Sequence, residues 1–162
     1  MKLRTTFQDA NLTAVQNRIK NPIRYFQAGT EILKDSIMKN FEAQGRPTRW
    51  KPLAEATLMA GAGYGGQRFT KSGSASKGFM RHLQGRQILI KRGKLRNSIT
   101  AEATSRHGLV GSNEVQAALL HFGGQAGRGR QVYVPARNYI MFQKEDVWAL
   151  QALLRRFVMV GQ

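Results

Sequence analysis

The chain has 162 residues, 41% of them apolar, no cysteine, and 26 Lys and Arg against nine Asp and Glu, a formal net charge of +17. The apolar share supplies a modest core for one domain, the missing cysteine excludes disulfides and cysteine-based metal sites, and no stretch approaches the roughly 20 apolar residues of a membrane span. A protein this basic repels its own copies and is drawn to polyanions: nucleic acid first, an acidic protein second, and an anionic membrane third, because no basic amphipathic helix stands out.

The opening MKLRTTFQDANL has no apolar signal core, which points to synthesis and use in the cytosol or in a particle assembled there. Leu3, Thr5 and Phe7 alternate as a short strand would. Asp9 or Asn11 is suited to cap a helix running to about Lys20, since either side chain accepts a bond from a free backbone N–H. Leu12, Val15 and Ile19 fall on one face of that helix. Asn21-Pro22 breaks it, and Pro22 suits the first turn of the next. From Ile23 to about Ala43, Phe26, Leu33, Ile37 and Phe41 mark a second amphipathic helix, which Gly29 weakens slightly.

Residues 44–86 lose the apolar period. QGRPTRWKPL leads into GAGYGGQRFTKSGSASKG, dense in Gly and Ser. The stretch reads as a long loop, with only Leu53 to Ala60 suited to a short helix. Between Arg46 and Arg96 twelve Lys and Arg face one acid, Glu55. Such a block is either a solvated loop or a surface that meets a polyanion.

The second half is strand-like. Ile88-Leu89-Ile90 is a short apolar run. Leu95 and Ile99 lie four apart. Ile99–Ala103 and Leu109–Gly111 flank the polar SRHG as a hairpin would. Val115 to Phe122 reads as a short helix and Gln131 to Val134 as a strand. Lys144 to Val158 closes the chain as a helix, with Val147, Leu150, Leu153, Leu154 and Phe157 on its apolar face. The fold class is α+β: N-terminal helices packed on a small, mostly antiparallel sheet, a long basic Gly/Ser-rich loop, and a C-terminal helix. The expected organisation is a single domain over 1–162 with an insertion or extended loop at about 44–87.

No catalytic constellation emerges. His82, His107 and His121 lack partners at metal spacing, and the acids are scattered singly. GAGYGG follows no apolar strand and opens no amphipathic helix, as a dinucleotide loop must. GGQAGRGR lacks the GK[ST] ending of a phosphate-binding loop. His121 has the chemistry of a base, but a helix-end residue before a glycine stop is the simpler reading. Arg137 follows a proline in an apolar run, where a structural bond to loop carbonyls or an interface salt bridge outweighs anion binding. Trp50 and Trp148 read as packing residues. Tyr64 and Phe69, interleaved with Arg68 and Lys71, suit base stacking or packing under a neighbour.

The order of the weak motifs is more specific than any one of them. Phe41 precedes RPTRWKPL (Arg46 to Leu53) and Thr57. ILIKRGKLRNSI (Ile88 to Ile99) and VGSN (Val110 to Asn113) follow. Then come Ala117, HFGG (His121 to Gly124) and VPARNYI (Val134 to Ile140). This series resembles the phage virion morphogenesis family, the tail-completion proteins of Mu-like tailed phages. The resemblance spans about residues 41–142 and continues in register into the last helix. It departs from the family pattern at the cap of that helix, Gln143-Lys144 in place of Ser or Asp, and in the long loop between Thr57 and Ile88.

The resemblance implies a non-enzymatic virion component with no catalytic residues, cofactor or metal. Such a protein is expected to act late in assembly, completing the tail or neck so that head and tail join, as a homo-oligomeric ring near the DNA channel. Its expected partners are its own copies, other phage neck and tail proteins, and the channel DNA non-specifically, with no membrane. Its expected places are the virion neck or tail and, during assembly, the host cytoplasm. The candidate DNA- or partner-contacting residues are Arg68, Lys71, Lys77, Arg81, Lys91, Arg92, Lys94, Arg96, Arg128 and Arg130. Gly123, Gly124, Pro135 and Arg137 then form a structural joint, in which Pro135 fixes a turn and the glycines adopt backbone angles closed to other residues. A free cytosolic nucleic-acid-binding protein accounts for the charge equally well, although no helix-turn-helix, RRM or KH signature is present.

Overall fold

A computed structural model describes residues 10–59 and 64–160. The weak strand expected over residues 1–8 and the capping candidate Asp9 lie outside them. The elements are helices α1 (Ala10–Lys20), α2 (Ile23–Glu42), α3 (Glu55–Met59), α4 (Lys77–Gln84) and α5 (Lys94–Asn97), then strands β1 (Ile99–Ala103) and β2 (Gly108–Ser112). Helix α6 (Ala117–Phe122), strand β3 (Gly124–Ala126), a 3-10 turn (Arg128–Arg130), strand β4 (Val132–Val134) and helix α7 (Lys144–Met159) complete them. No described helix is long and apolar enough to cross a membrane.

The chain divides into two compact units, with the division inside α2 after Ser36. The first takes residues up to Ser36, Thr100–Gly111, and Phe142 onward. Here α1 packs on α7, tied by the Arg18 guanidinium, which donates to Val158 O at 2.7 Å. Tyr25 of α2 meets Phe157 of α7 with ring centroids 6.0 Å apart. Gly29, which the sequence marks as a weak point of α2, is a contact point instead. A Cβ there would sit 3.2 Å from Leu150 Cδ2, so the missing side chain lets α7 approach. Gly108 does the same for the hairpin, where an added Cβ would lie 2.5 Å from Thr30 Cγ2. The four-residue connection between β1 and β2 permits only the antiparallel arrangement. Thr104 closes it, its N–H donating to His107 O at 2.8 Å.

Helix α7 solves its capping problem without Ser or Asp at the cap. Gln143 is the cap residue, and the Asp146 carboxylate reaches back to accept from the Gln143 backbone N–H at 2.7 Å. The same oxygen accepts from the Ser36 hydroxyl at 2.5 Å. Two donors thus satisfy a buried carboxylate at the positive end of the helix.

The second unit comprises Ile37–Ile99 and Ser112–Met141. Ile37 and Phe41, on the expected apolar face of α2, are fully buried. Phe41 meets Trp50 edge-on at 5.7 Å and Tyr139 at 5.4 Å. Truncating such a ring typically costs about 3–5 kcal/mol. The Tyr139 hydroxyl donates to Ala117 O at 3.1 Å, which fastens α6 to this core.

Several expectations need correction. The stretch read as one long loop holds α4 as well as α3. Ser76 caps α4, its hydroxyl accepting from Phe79 N–H at 3.2 Å, and Phe79 is fully buried against Tyr64, Phe69 and His82. The helix packs on a small aromatic cluster supplied by the Gly/Ser-rich stretch and the helix itself, so no apolar period announces it. The strands form two separate two-stranded ribbons rather than one sheet. In the second, Gln125 pairs with Tyr133 in antiparallel register, and β3 was not foreseen. The run Ile88-Leu89-Ile90 is a turn. The Gln44 side-chain amide accepts from Ile88 N–H and donates to Ile88 O, taking the place a neighbouring strand would fill. Asn11 lies inside α1 rather than at its cap. Leu12, Ile19, Val147 and Leu154 are exposed, as is Trp148 at 64%, because only one edge of α1 and of α7 is covered within their unit.

Candidate functional site

The second unit carries a groove of about 430 Å³ built from α3, the turn at 86–92, α5 and α6. Four leucines line it: Leu53, Leu89, Leu95 and Leu120. Leu95 is buried and the other three are half-buried. The charged lining is Arg86, Lys91, Arg92, Lys94 and Arg137. Thr57, Gln87 and Gln116 complete the wall, which among the described residues holds no His, Asp, Glu, Ser or Cys.

Each cation is held differently. Arg137 is 5% exposed and donates through Nε to Lys51 O and through Nη2 to Pro52 O, both at 3.3 Å. Burial lowers its pKa from the usual arginine value, yet a guanidinium stays protonated at any ordinary pH. Its backbone N–H donates to Leu120 O at 3.0 Å, so one residue joins the segment after β4 to both α6 and the 51–52 backbone. Arg86 donates to Thr57 O at 3.1 Å. Lys94 pairs with Glu114 at 3.1 Å. Lys91 and Arg92 are exposed, and with Arg86 and Arg137 they form no ion pair among the described residues. The arrangement attracts anions.

Gly123 sets the geometry beside this site. It ends α6 with φ 75° and ψ 178°. A Cβ there would lie 2.6 Å from Ala136 N and 2.9 Å from Val134 O. The strand leading to Pro135 and Arg137 therefore runs directly over the end of the helix. Gly124 has φ 145° and opens β3. His121 packs edge-on against Tyr139 at 5.2 Å, and burial lowers its pKa.

The remaining candidate cations lie on other elements. Arg68 and Lys71 flank the Phe69–Ala75 bridge, and Lys77 and Arg81 stand one turn apart on α4. Arg128 and Arg130 sit on the exposed 3-10 turn at the tip of the β3–β4 ribbon. Arg96 pairs with Glu42 at 3.3 Å rather than standing free. The structure thus brings together Lys91, Arg92, Lys94 and Arg137 and leaves the others apart. In the sequence Arg86 counts only toward the basic excess of 46–96 and Leu53, Leu89 and Leu95 only toward the motifs, without a contact role. A second basic depression of about 270 Å³, with Arg46, Arg49 and Lys51 in its lining, also went unremarked. Among the described residues no three His, Cys, Asp or Glu gather as a metal site would require.

The motifs that carried the sequence resemblance converge on the groove. Lys51, Pro52 and Leu53 of WKPL, then Thr57, Leu95 of GKL and Arg137 of PAR all line it or hold its lining. The model of the phage virion morphogenesis family matches residues 4–159. The chain belongs to this family. As a family member it is a phage structural protein related to virion morphogenesis and tail-completion proteins. It is 32% identical over 125 residues to the Mu-like prophage FluMu G protein 2 of Haemophilus influenzae, covering 77% of this chain and 68% of that protein. No solved structure matches this virion morphogenesis protein.

Proposed function

We propose that the protein completes the tail or neck of a tailed phage and helps head and tail join, working as a homo-oligomeric ring near the DNA channel. The observation that carries this reading is family membership across nearly the whole chain. The distribution of charge and apolar surface supports it. Arg128 and Arg130 stand exposed at the tip of a ribbon, and Arg68, Lys71, Lys77 and Arg81 are equally exposed. Repeated around a ring, such clusters hold duplex DNA through its phosphates without reading sequence. Among the described residues the ribbon has two strands with both outer edges open, and Val132, Tyr133 and the nearby Phe122 are exposed. Open strand edges and exposed aromatics suit contacts with other copies and with other neck and tail proteins. In this reading the protein passes through the host cytoplasm during assembly and ends in the virion neck or tail, without a membrane stage.

Electron microscopy of the purified assembly, paired with binding to random-sequence duplex DNA over a salt series, tests the proposal. A closed ring is expected, with affinity that falls steeply as salt rises. Arg128→Glu with Arg130→Glu should flatten that slope by roughly one to two phosphate contacts per subunit. A monomer at all concentrations, or DNA binding indifferent to salt, would sink it.

A further inference from the structure

We infer that the leucine- and cation-lined groove is the docking site for an acidic amphipathic segment of another protein, one with aliphatic side chains on one side and carboxylates on the other. The proposal deepens the assembly reading and rests on it for the origin of the occupant. Its chemistry is read from the groove alone.

The lining excludes the two obvious alternatives. DNA offers phosphates to Lys91 and Arg92 but nothing to four leucines, and no aromatic side chain lines the groove to receive a base. A second copy of the chain is a poor occupant as well. Its nine acids stand against 26 cations, and the pairs among them are Glu31 and Asp35, one turn apart on α2, and Glu145-Asp146. Asp146 is buried and already engaged by Ser36 and the Gln143 N–H. The complement of this surface is a segment richer in acid than the chain itself. The volume, about 430 Å³, is in the range that admits several side chains.

Local strain lies at the same place. Leu89 has φ 64°, a conformation a bulky residue seldom adopts. The Gln44 amide grips both backbone polar groups of Ile88 beside it. The result is a leucine held at the groove by a backbone that a relaxed loop would not choose. That is the expected mark of a preformed binding surface, because ordering entropy is met during folding and not at docking.

The test uses the full-length protein and three fluorescent probes. The first is a helical peptide with leucines on one face and glutamates on the other. The second is the same peptide with every leucine replaced by serine, and the third is random-sequence duplex DNA. The leucine peptide is expected to bind at least about tenfold tighter than the serine peptide, as burial of one or two leucine side chains requires. Lys91→Glu with Arg92→Glu should weaken both peptides about tenfold. Leu89→Asn should remove most of the leucine advantage while keeping the fold, because asparagine tolerates positive φ. Circular dichroism checks that these variants remain folded. Equal binding of the two peptides would overturn the inference by reducing the groove to charge attraction. DNA that displaces the leucine peptide as well as unlabelled peptide does would overturn it in favour of a nucleic-acid contact. Ring formation and salt-dependent DNA binding are read in separate assays, so failure of the assembly reading is distinguishable from failure of this one.

Discussion

Asn40, fully buried in α2, donates through one amide nitrogen to Tyr139 O at 2.9 Å and Met141 O at 3.0 Å. Its Oδ1 accepts from Arg46 Nε at 2.8 Å. A single side chain thus satisfies two carbonyls of the segment that follows Arg137. Asn40→Leu keeps the number and branching of the side-chain heavy atoms and deletes every one of these bonds. The expected cost is about 2–4 kcal/mol, the desolvation penalty of two stranded carbonyls. It should appear as a lower urea midpoint with unchanged slope. A loss below about 1 kcal/mol would mean that water or another donor replaces the amide.

Gly123→Ala tests the crossing of the post-β4 segment over the end of α6. The new Cβ meets main-chain atoms of Val134 and Ala136, which cannot rotate away, at a backbone conformation reserved for glycine. A destabilisation of about 3 kcal/mol or more is expected, with lower soluble yield. Gly111→Ala is the control. It has open space around its Cβ and no positive φ, and should change stability by no more than about 0.5 kcal/mol.

His121 predicts a response to acid. Burial lowers its pKa below the ordinary histidine value of about 6.5. Its Nδ1 is buried with no hydrogen-bond partner among the described residues. The unfolded chain therefore binds a proton at a higher pH than the folded one. The stabilisation from neutral His121 is fully present above about pH 6.5 and is lost as pH falls toward the lowered folded pKa. His121→Phe should remove this dependence, so its melting temperature should fall less than wild type between pH 7 and pH 5. Parallel pH profiles for the two proteins would refute the assignment.

What the sequence reveals here follows the range of each signal. Helices α2, α6 and α7 and the β1–β2 hairpin were legible because local periodicity, Pro22, the polar SRHG and a glycine stop mark them. Helix α4 was not, because Gly78 lies in its first turn and its one buried residue, Phe79, is held by aromatics from other positions. The turn at Ile88 was hidden because its partner is a glutamine 44 residues away rather than a strand. The exposure of Trp148 depends on what fails to cover it, which no local pattern records. The groove is the extreme case. Its leucines come from three separate stretches, around Leu53, Leu89 to Leu95, and Leu120, and no local pattern records that these meet.

The Ser36–Asp146 bond carries a consequence for synthesis. The oxygen that caps α7 is held by a residue made 110 positions earlier. The first unit draws on three separate stretches of chain, and the last begins at Phe142. On the ribosome, which adds roughly 5–20 residues per second, the second unit has all its residues before α7 exists. The face of α2 that α7 covers must wait until Lys144–Met159 has emerged. A nascent chain stalled before that point exposes Tyr25 and Gly29, the surfaces α7 would cover, to chaperones.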